Sequence, residues 1–282
     1  MKYSVLFSLV LLAACSSTPY KESPSSDSKK GLMDLSETPK KKESHTQPLP
    51  PVSDSKTEET RESVMSDLDR AIQKQDDRSI AIAARQVLLQ SPDDAKALNA
   101  LALYHFRHGD TGTAKVLLNK AIAAHDQISM LYSNLGVVLQ GAQEDEDAVK
   151  AYREALKVDP YNAIAASNVG AYYAKVKDYN KAQVALEIAV EKGQRDWKTL
   201  NNYGVTLMAL GKYNLAETQL KGASNLQPQN TAVLLNYAIL LVDYLKKPAE
   251  GLDVLNKIRF IGTSPDIRKR ISELENKAKS LK

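Results

Sequence analysis

The chain has 282 residues, a formal net charge of +4, 43% hydrophobic residues and a single cysteine. One cysteine excludes an internal disulfide framework, and this length allows one or two domains. The positive excess is local: residues 1–60 hold eight lysines and eight acids, whereas residues 246–282 hold ten basic and five acidic side chains. The C-terminal end is basic; the protein as a whole is not.

The first element in chain order is a targeting segment. In MKYSVLFSLVLLAAC, Lys2 supplies the positive start and residues 5–14 the apolar stretch. About ten apolar residues fall short of the ~30 Å hydrocarbon layer, so the segment is not a membrane span. The closing LAAC at 12–15 resembles the lipobox of bacterial lipoproteins. That resemblance implies cleavage before Cys15 and acylation of its thiol and new amino terminus. A plain secretory signal followed by a free thiol is the alternative. Ser16, in the position where Asp favours inner-membrane retention in Gram-negative lipoproteins, implies transfer to the outer membrane, facing the periplasm. Two or more acyl chains hold a protein stably where one is marginal.

Residues 15–60 read as a lipidated, disordered tether, rich in Ser, Pro, Lys and Glu and poor in large apolar groups. Such a segment buries too little surface to offset its ordering entropy. Its 45 residues after the cysteine reach about 35–40 Å as a flexible coil. PLPP at 48–51 could serve as a binding motif, but a spacer explains the segment without one.

From Arg61 onward a helical period takes over, and four segments (95–128, 129–162, 163–196 and 197–230) align without a gap at 34 residues. A small residue recurs at Ala102, Gly136, Gly170, Gly204 and Ala238. His105, Leu139, Tyr173, Leu207 and Leu241 follow as an expected core position. The second half of each segment carries Ala114, Ala148, Ala182 and Ala216, then Leu118, Tyr152, Leu186 and Leu220, then Ala121, Ala155, Ala189 and Ala223. Pro92, Pro160 and Pro228 fall at segment ends, with Asp126 and Gln194 in the other two. Small residues let two helices approach, and proline suits the turn because it cannot continue a helix interior.

This pattern resembles the tetratricopeptide repeat family over about 200 residues of the chain. The fold expected is all-α: an α-solenoid of helix–turn–helix repeats that bury their apolar faces only by stacking. Residues 61–94 form a degenerate N-terminal repeat, 95–230 four full repeats, and 231–262 a degenerate repeat in which Pro248 and one extra residue shift the second helix. Residues 263–282 form a capping helix, opened by Ser264 and Pro265, with Ile267, Ile271 and Leu274 on one face.

The same pitch returns an asparagine at Asn134, Asn168, Asn202 and Asn236, two residues and so about 200° around the helix from the small packing residue. The family implies that this direction is the inner groove, where amides complement a peptide main chain. The expected groove set is Asn99, Asn134, Asn168, Asn201, Asn202 and Asn236 with Lys96, Lys175, Lys198 and Arg107. The alternative is that these asparagines bond only to neighbouring helices. The clamp that binds chaperone C-terminal tails is absent: Asn99 and Leu103 replace its first pair, and Ile164 and Asn168 its final basic pair.

No phosphate-binding, dinucleotide, nucleophile-elbow or zinc-protease motif occurs. His105, His108 and His125 lack convergent partners, and EDED at 144–147 reads as a helix start that suits the dipole rather than a calcium site. No catalytic residue, metal or cofactor is expected, nor nucleic acid as a partner. The leading reading is a lipid-anchored adaptor that captures a protein partner, as in pilotins, peptidoglycan-hydrolase adaptors and gliding-motility lipoproteins; the long tether departs from the pilotins. A structural subunit of an envelope machine, contacting partners by convex or basic C-terminal surfaces, is the second reading and an enzyme the third. A homo-oligomer stays open.

Overall fold

The computed structural model describes residues 61–261 and 265–281. The readings made on the targeting segment, Cys15 and the tether lie outside them. The described residues contain thirteen α-helices, one π-helical turn and no strand, so the all-α repeat fold expected from the pitch is the fold found. They divide near Ala165 into two compact units, 61–165 and 166–281.

The first unit holds α1 (Arg61–Gln73), α2 (Asp77–Gln90), α3 (Ala95–Arg107), α4 (Thr111–Ala124), α5 (Ser129–Gly141) and α6 (Asp145–Val158). The second holds most of α7 (Ala163–Lys175), then α8 (Tyr179–Glu191), α9 (Trp197–Ala209), α10 (Tyr213–Leu226) and α11 (Thr231–Ile239). It ends with the π turn (Leu240–Tyr244), α12 (Pro248–Ile261) and α13 (Pro265–Ser280).

Local chemistry sets the helix starts. The carboxylates of Asp76, Asp94, Asp110, Asp178 and Asp196 and the amide oxygen of Asn230 accept hydrogen bonds from backbone N–H groups in the first turn that follows. Helix α6 has no side-chain cap. Its first turn instead carries Asp145, Glu146 and Asp147, whose charge suits the N-terminal end of the helix dipole.

The hairpin turns keep the period too. Gln75, Gly109, Gln143, Lys177 and Gly211, one every 34 residues, have φ between 53° and 84°. The next residue then bonds back five positions: Asp110 to His105 O, Glu144 to Leu139 O, Asp178 to Tyr173 O and Lys212 to Leu207 O, all at 2.9 Å. This left-handed closure satisfies carbonyls that the helix end would leave orphaned. The sixth turn residue, Lys246 (φ 54°), arrives 35 residues after Gly211. The extra residue is absorbed by the π turn, where Leu245 N–H bonds Leu240 O at 3.0 Å and Lys247 N–H reaches back six positions to Leu241 O at 2.9 Å.

Packing within each pair depends on the small positions. A Cβ added at Gly136 would lie 2.5 Å from the Tyr152 ring; at Gly170 or Gly204 it would lie 2.6 or 2.5 Å from Cγ of Leu186 or Leu220. Tyr152, Leu186 and Leu220 are at most 1% exposed, so each large side chain fills the space that its glycine leaves. In the N-terminal pair the order is reversed: Leu68 stands at the small position and Ala84 at the large one, both fully buried. At the C-terminal end α13 buries Ile271, Leu274 and Ala278 in the core of the second unit, with Ile267 partly packed against it.

Candidate partner-binding face

The first helices of successive repeats carry the expected groove residues. In the first unit, Asn134 on α5 donates from Nδ2 to Asn99 Oδ1 on α3 at 2.7 Å. In the second unit, Asn236 on α11 donates to Asn201 Oδ1 on α9 at 3.0 Å. Both pairs span 35 residues, one repeat plus one residue, so the same register recurs in each unit. Asn134 is 2% and Asn201 4% exposed, and Asn99 and Asn236 are each 8%. These four amides lie between neighbouring first helices and are used there. Asn168 and Asn202 are half-buried.

Hydroxyls bridge other helices of the array. Ser129 donates to the Ala155 carbonyl at 2.8 Å and accepts from Asn162 Nδ2 at 2.8 Å. Ser167 and Thr199 are 2.7 Å apart, and Thr199 donates to the capping Asp196 at 2.5 Å. A polar group removed from water is costly unless it is paired, so these bonds fix the spacing of the helices that present the face.

The basic members divide. Lys96 forms an ion pair with Asp69 of α1, and Arg107 donates to Asp77 of α2 through Nε at 3.2 Å and Nη2 at 2.5 Å. The two cations predicted for ligand contact in the first unit therefore face carboxylates of the N-terminal pair. In the second unit, Lys198 sits 5.6 Å over the Trp197 ring and is half-buried, and Lys175 is exposed. Asp69 and Asp77 were missed from sequence; their signal lay in the N-terminal pair, whose inverted size order hides its register.

His105, expected in the core, is half-buried and lies 3.2 Å from Asp110 Oδ2 through Nδ1. The neighbouring Phe106 takes the interior instead, at 1% exposed. A Cβ at Gly141 would meet its ring at 2.5 Å, so this ring too reaches 35 residues along the chain. His108 bonds the Tyr104 carbonyl and His125 the Asp93 carbonyl, each at 2.8 Å. Among the described residues no three His, Cys, Asp or Glu side chains are grouped to hold a metal, and no helix is long and apolar enough to cross a membrane.

Burial raises the phenols of Tyr152, Tyr179, Tyr203, Tyr237 and Tyr244. Tyr203 and Tyr237, at equivalent positions of α9 and α11, are pushed up to about 12 by burial and then by Glu187 and Glu191, or by Glu217 and Glu250. Burial pushes Tyr152 up further; its hydroxyl donates to Gln140 Oε1 at 3.2 Å. In the other direction, a hydrogen bond from Thr113 holds Asp110 below its usual range, as one from Lys181 does for Asp178.

Comparison with known proteins agrees with this geometry. A family model described as tetratricopeptide repeat matches residues 129–158, the span of α5 and α6. The type IV pilus assembly protein PilF of Pseudomonas aeruginosa is 29% identical over 186 residues, covering 64% of this chain and 60% of that protein. The BBSome complex member bbs-4 of Caenorhabditis elegans is 26% identical over 175 residues, 62% of this chain and 38% of its own length. The chain thus spans less than two thirds of these relatives. Among solved structures, Pseudomonas aeruginosa PilF superposes with a TM-score of 0.63 at 18% identity, covering 76% of this chain and 97% of that one. YrrB, described as a tetratricopeptide-repeat protein with an unusual peptide-binding site, gives 0.56 at 18% identity, over 68% of this chain and 99% of its own. Helix pairs at constant pitch, small residues opposite large ones and these likenesses together identify the chain as a tetratricopeptide-repeat protein.

Proposed function

We propose that this protein is a non-enzymatic adaptor of the Gram-negative envelope. Acylated Cys15 holds it to the outer membrane on the periplasmic side, residues 16–60 give it reach, and the repeats bind an extended segment of a partner protein. The repeat fold is a scaffold for protein–protein contact, and such proteins are generally not enzymes. The observation that carries the reading is the pair of matching amide bonds, Asn134 to Asn99 and Asn236 to Asn201. They hold adjacent first helices in one register, and a regular polar face is what an extended main chain requires. We assign support to those four asparagines and partner contact to Asn168, Asn202, Lys175 and Lys198, with Lys96 and Arg107 held at the edge by their carboxylates. The pilus-assembly name of one relative and the peptide-binding description of one solved neighbour support the class of function and the mode of binding.

A specific observation favours a second reading. Four of the six expected asparagines are at least nine-tenths buried, as they would be if purely structural, with partners engaged through the second helices or the basic C-terminal helix. In-cell photocrosslinking separates the two. Probes placed at Lys198 and Asn202 should give adducts with one protein, and probes at Asn180 on α8 should give none. Adducts from Asn180 or from Arg268 on α13, with none from Lys198 and Asn202, would establish the second reading. Cys15→Ser should shift the chain from the membrane to the soluble fraction.

A further inference from the structure

In the second unit, α10, α11 and α12 line an open cleft of about 350 Å³. Its floor is apolar: Leu234, Leu241 and Val254 are at most 7% exposed. Tyr237 stands among them at 6% exposed, and its hydroxyl has no hydrogen-bond partner among the described residues. That oxygen is not sealed off, since no side-chain polar atom that is fully buried lacks a partner. A phenol whose ring is buried and whose oxygen still reaches solvent is open to a hydrogen bond from a ligand.

The charges around the hydroxyl select the ligand. The carboxylates that act on it are those of Glu217 and Glu250. Glu217 already holds the Lys247 ammonium at 2.6 Å, with Glu250 at 3.9 Å. Asp253 adds a second carboxylate to the α12 wall beside Glu250, and it has no ion pair among the described residues. Lys221 on α10 and Lys257, one turn beyond Asp253 on α12, also line the cleft without ion pairs among the described residues.

We propose that this cleft takes a basic side chain, arginine in preference to lysine, from a segment of a partner protein. The aliphatic stem lies over Leu234 and Val254, as long charged side chains do on apolar surface. The guanidinium donates to the Tyr237 oxygen and to the Asp253 and Glu250 carboxylates. Arginine is preferred because its planar fork supplies several donors at fixed angles and is less strongly hydrated than an ammonium. Lys221 and Lys257 meet carbonyls of the incoming main chain. The site shares α11 with the buried Asn236 but uses none of the first-helix residues assigned to partner contact.

The test is titration of the full chain, labelled with ¹⁵N, by blocked tripeptides with arginine, lysine, glutamate or leucine between glycines. The arginine peptide should shift the amides of Ser224, Asn225, Tyr237 and Asp253, and the lysine peptide should do so more weakly. Tyr237→Phe, which keeps the ring, should weaken binding about threefold, and Asp253→Asn about tenfold. Lys221→Ala should weaken it less than Asp253→Asn does. The proposal is overturned if these amides do not move, if the glutamate or leucine peptide moves them equally, or if both variants bind arginine like the parent.

Discussion

Gly204→Ala adds one methyl group where α9 meets α10, and the structure gives the sign of the result. The new Cβ would lie 2.5 Å from Leu220 Cγ, 2.9 Å from its Cδ2 and 3.2 Å from its backbone nitrogen. Leu220 is fully buried, so the side chain has no open space to swing into, and the backbone contact is relieved only by moving a helix. Overpacking of this kind costs about 1–3 kcal/mol. Alanine returns about 0.5–1 kcal/mol of helix propensity over glycine, which leaves a net loss of about 0.5–2 kcal/mol. For a unit of this size the melting temperature should fall roughly 2–8 °C, read from ellipticity at 222 nm on heating. Gly112→Ala is the control: the nearest atom to its new Cβ is Asp110 Oδ1 at 3.7 Å, so propensity should win and the melting temperature should rise. In a Leu220→Ala background, Gly204→Ala should cost distinctly less, because the clashing side-chain atoms are gone and only the 3.2 Å approach to the backbone nitrogen remains. A Gly204→Ala protein as stable as its parent would refute the claim that close approach at the small position is what the repeat requires.

The buried amide pairs make a second prediction: Asn134→Ala should cost about 1–3 kcal/mol by leaving the Asn99 carbonyl buried and unpaired. Asn202→Ala, at a half-buried site, should cost distinctly less in the same melts. Stability should also fall at both ends of the pH range. The capping carboxylates of Asp76, Asp110 and Asp178 sit below the ordinary 3.8 in the folded state. Their contribution is therefore present above about 3.8 and lost as pH falls through their lowered values. Tyr152, Tyr203 and Tyr237 are raised above 10, so their contribution is intact below 10 and lost as pH rises toward 12. In a spectrophotometric titration Tyr152 should ionise only as the helices melt, and Tyr203 and Tyr237 near 12.

The repeat was legible because its signals are strictly local and strictly periodic. Gly136, Gly170 and Gly204 mark a close approach that no larger residue satisfies, and the prolines mark turns that no helix interior accepts. The N-terminal pair was harder to place because Leu68 and Ala84 satisfy the same volume requirement with the sizes exchanged. Packing fixes the sum of two facing side chains, and a template built on one order does not see the other. The asparagine face misled for a different reason. An angle of about 200° from the packing residue shows where Asn134 does not point, but a first helix has three surroundings: its own second helix, the neighbouring first helices and the open face. The angle separates the first from the other two. Whether Asn134 meets Asn99 or a ligand is decided by how closely the next repeat stacks, which the sequence of a single helix does not contain. The ion pairs Lys96–Asp69 and Arg107–Asp77 were invisible for the same reason.

The end of the array follows from one inserted residue. Helix α13 begins at Pro265, 34 residues after α11 begins at Thr231, so it occupies the place in the chain of another repeat's first helix. An extra residue between α11 and α12 would rotate everything after it by 100° if the α-helix simply continued. The π turn takes up that residue instead, and Gly251 of α12 lies directly against Val242 of that turn. The same turn carries Asp243, which accepts from Arg270 at 3.1 Å and Lys277 at 2.5 Å, while Glu275 accepts from Arg259 Nη2 through both oxygens at 2.9 Å. Asp243 and Glu275 have side chains only 16% and 10% exposed, conditions under which charge pairing holds geometry better than it does on an open surface. The last helix is therefore fixed by three apolar residues and two carboxylates, and its remaining face is left to solvent.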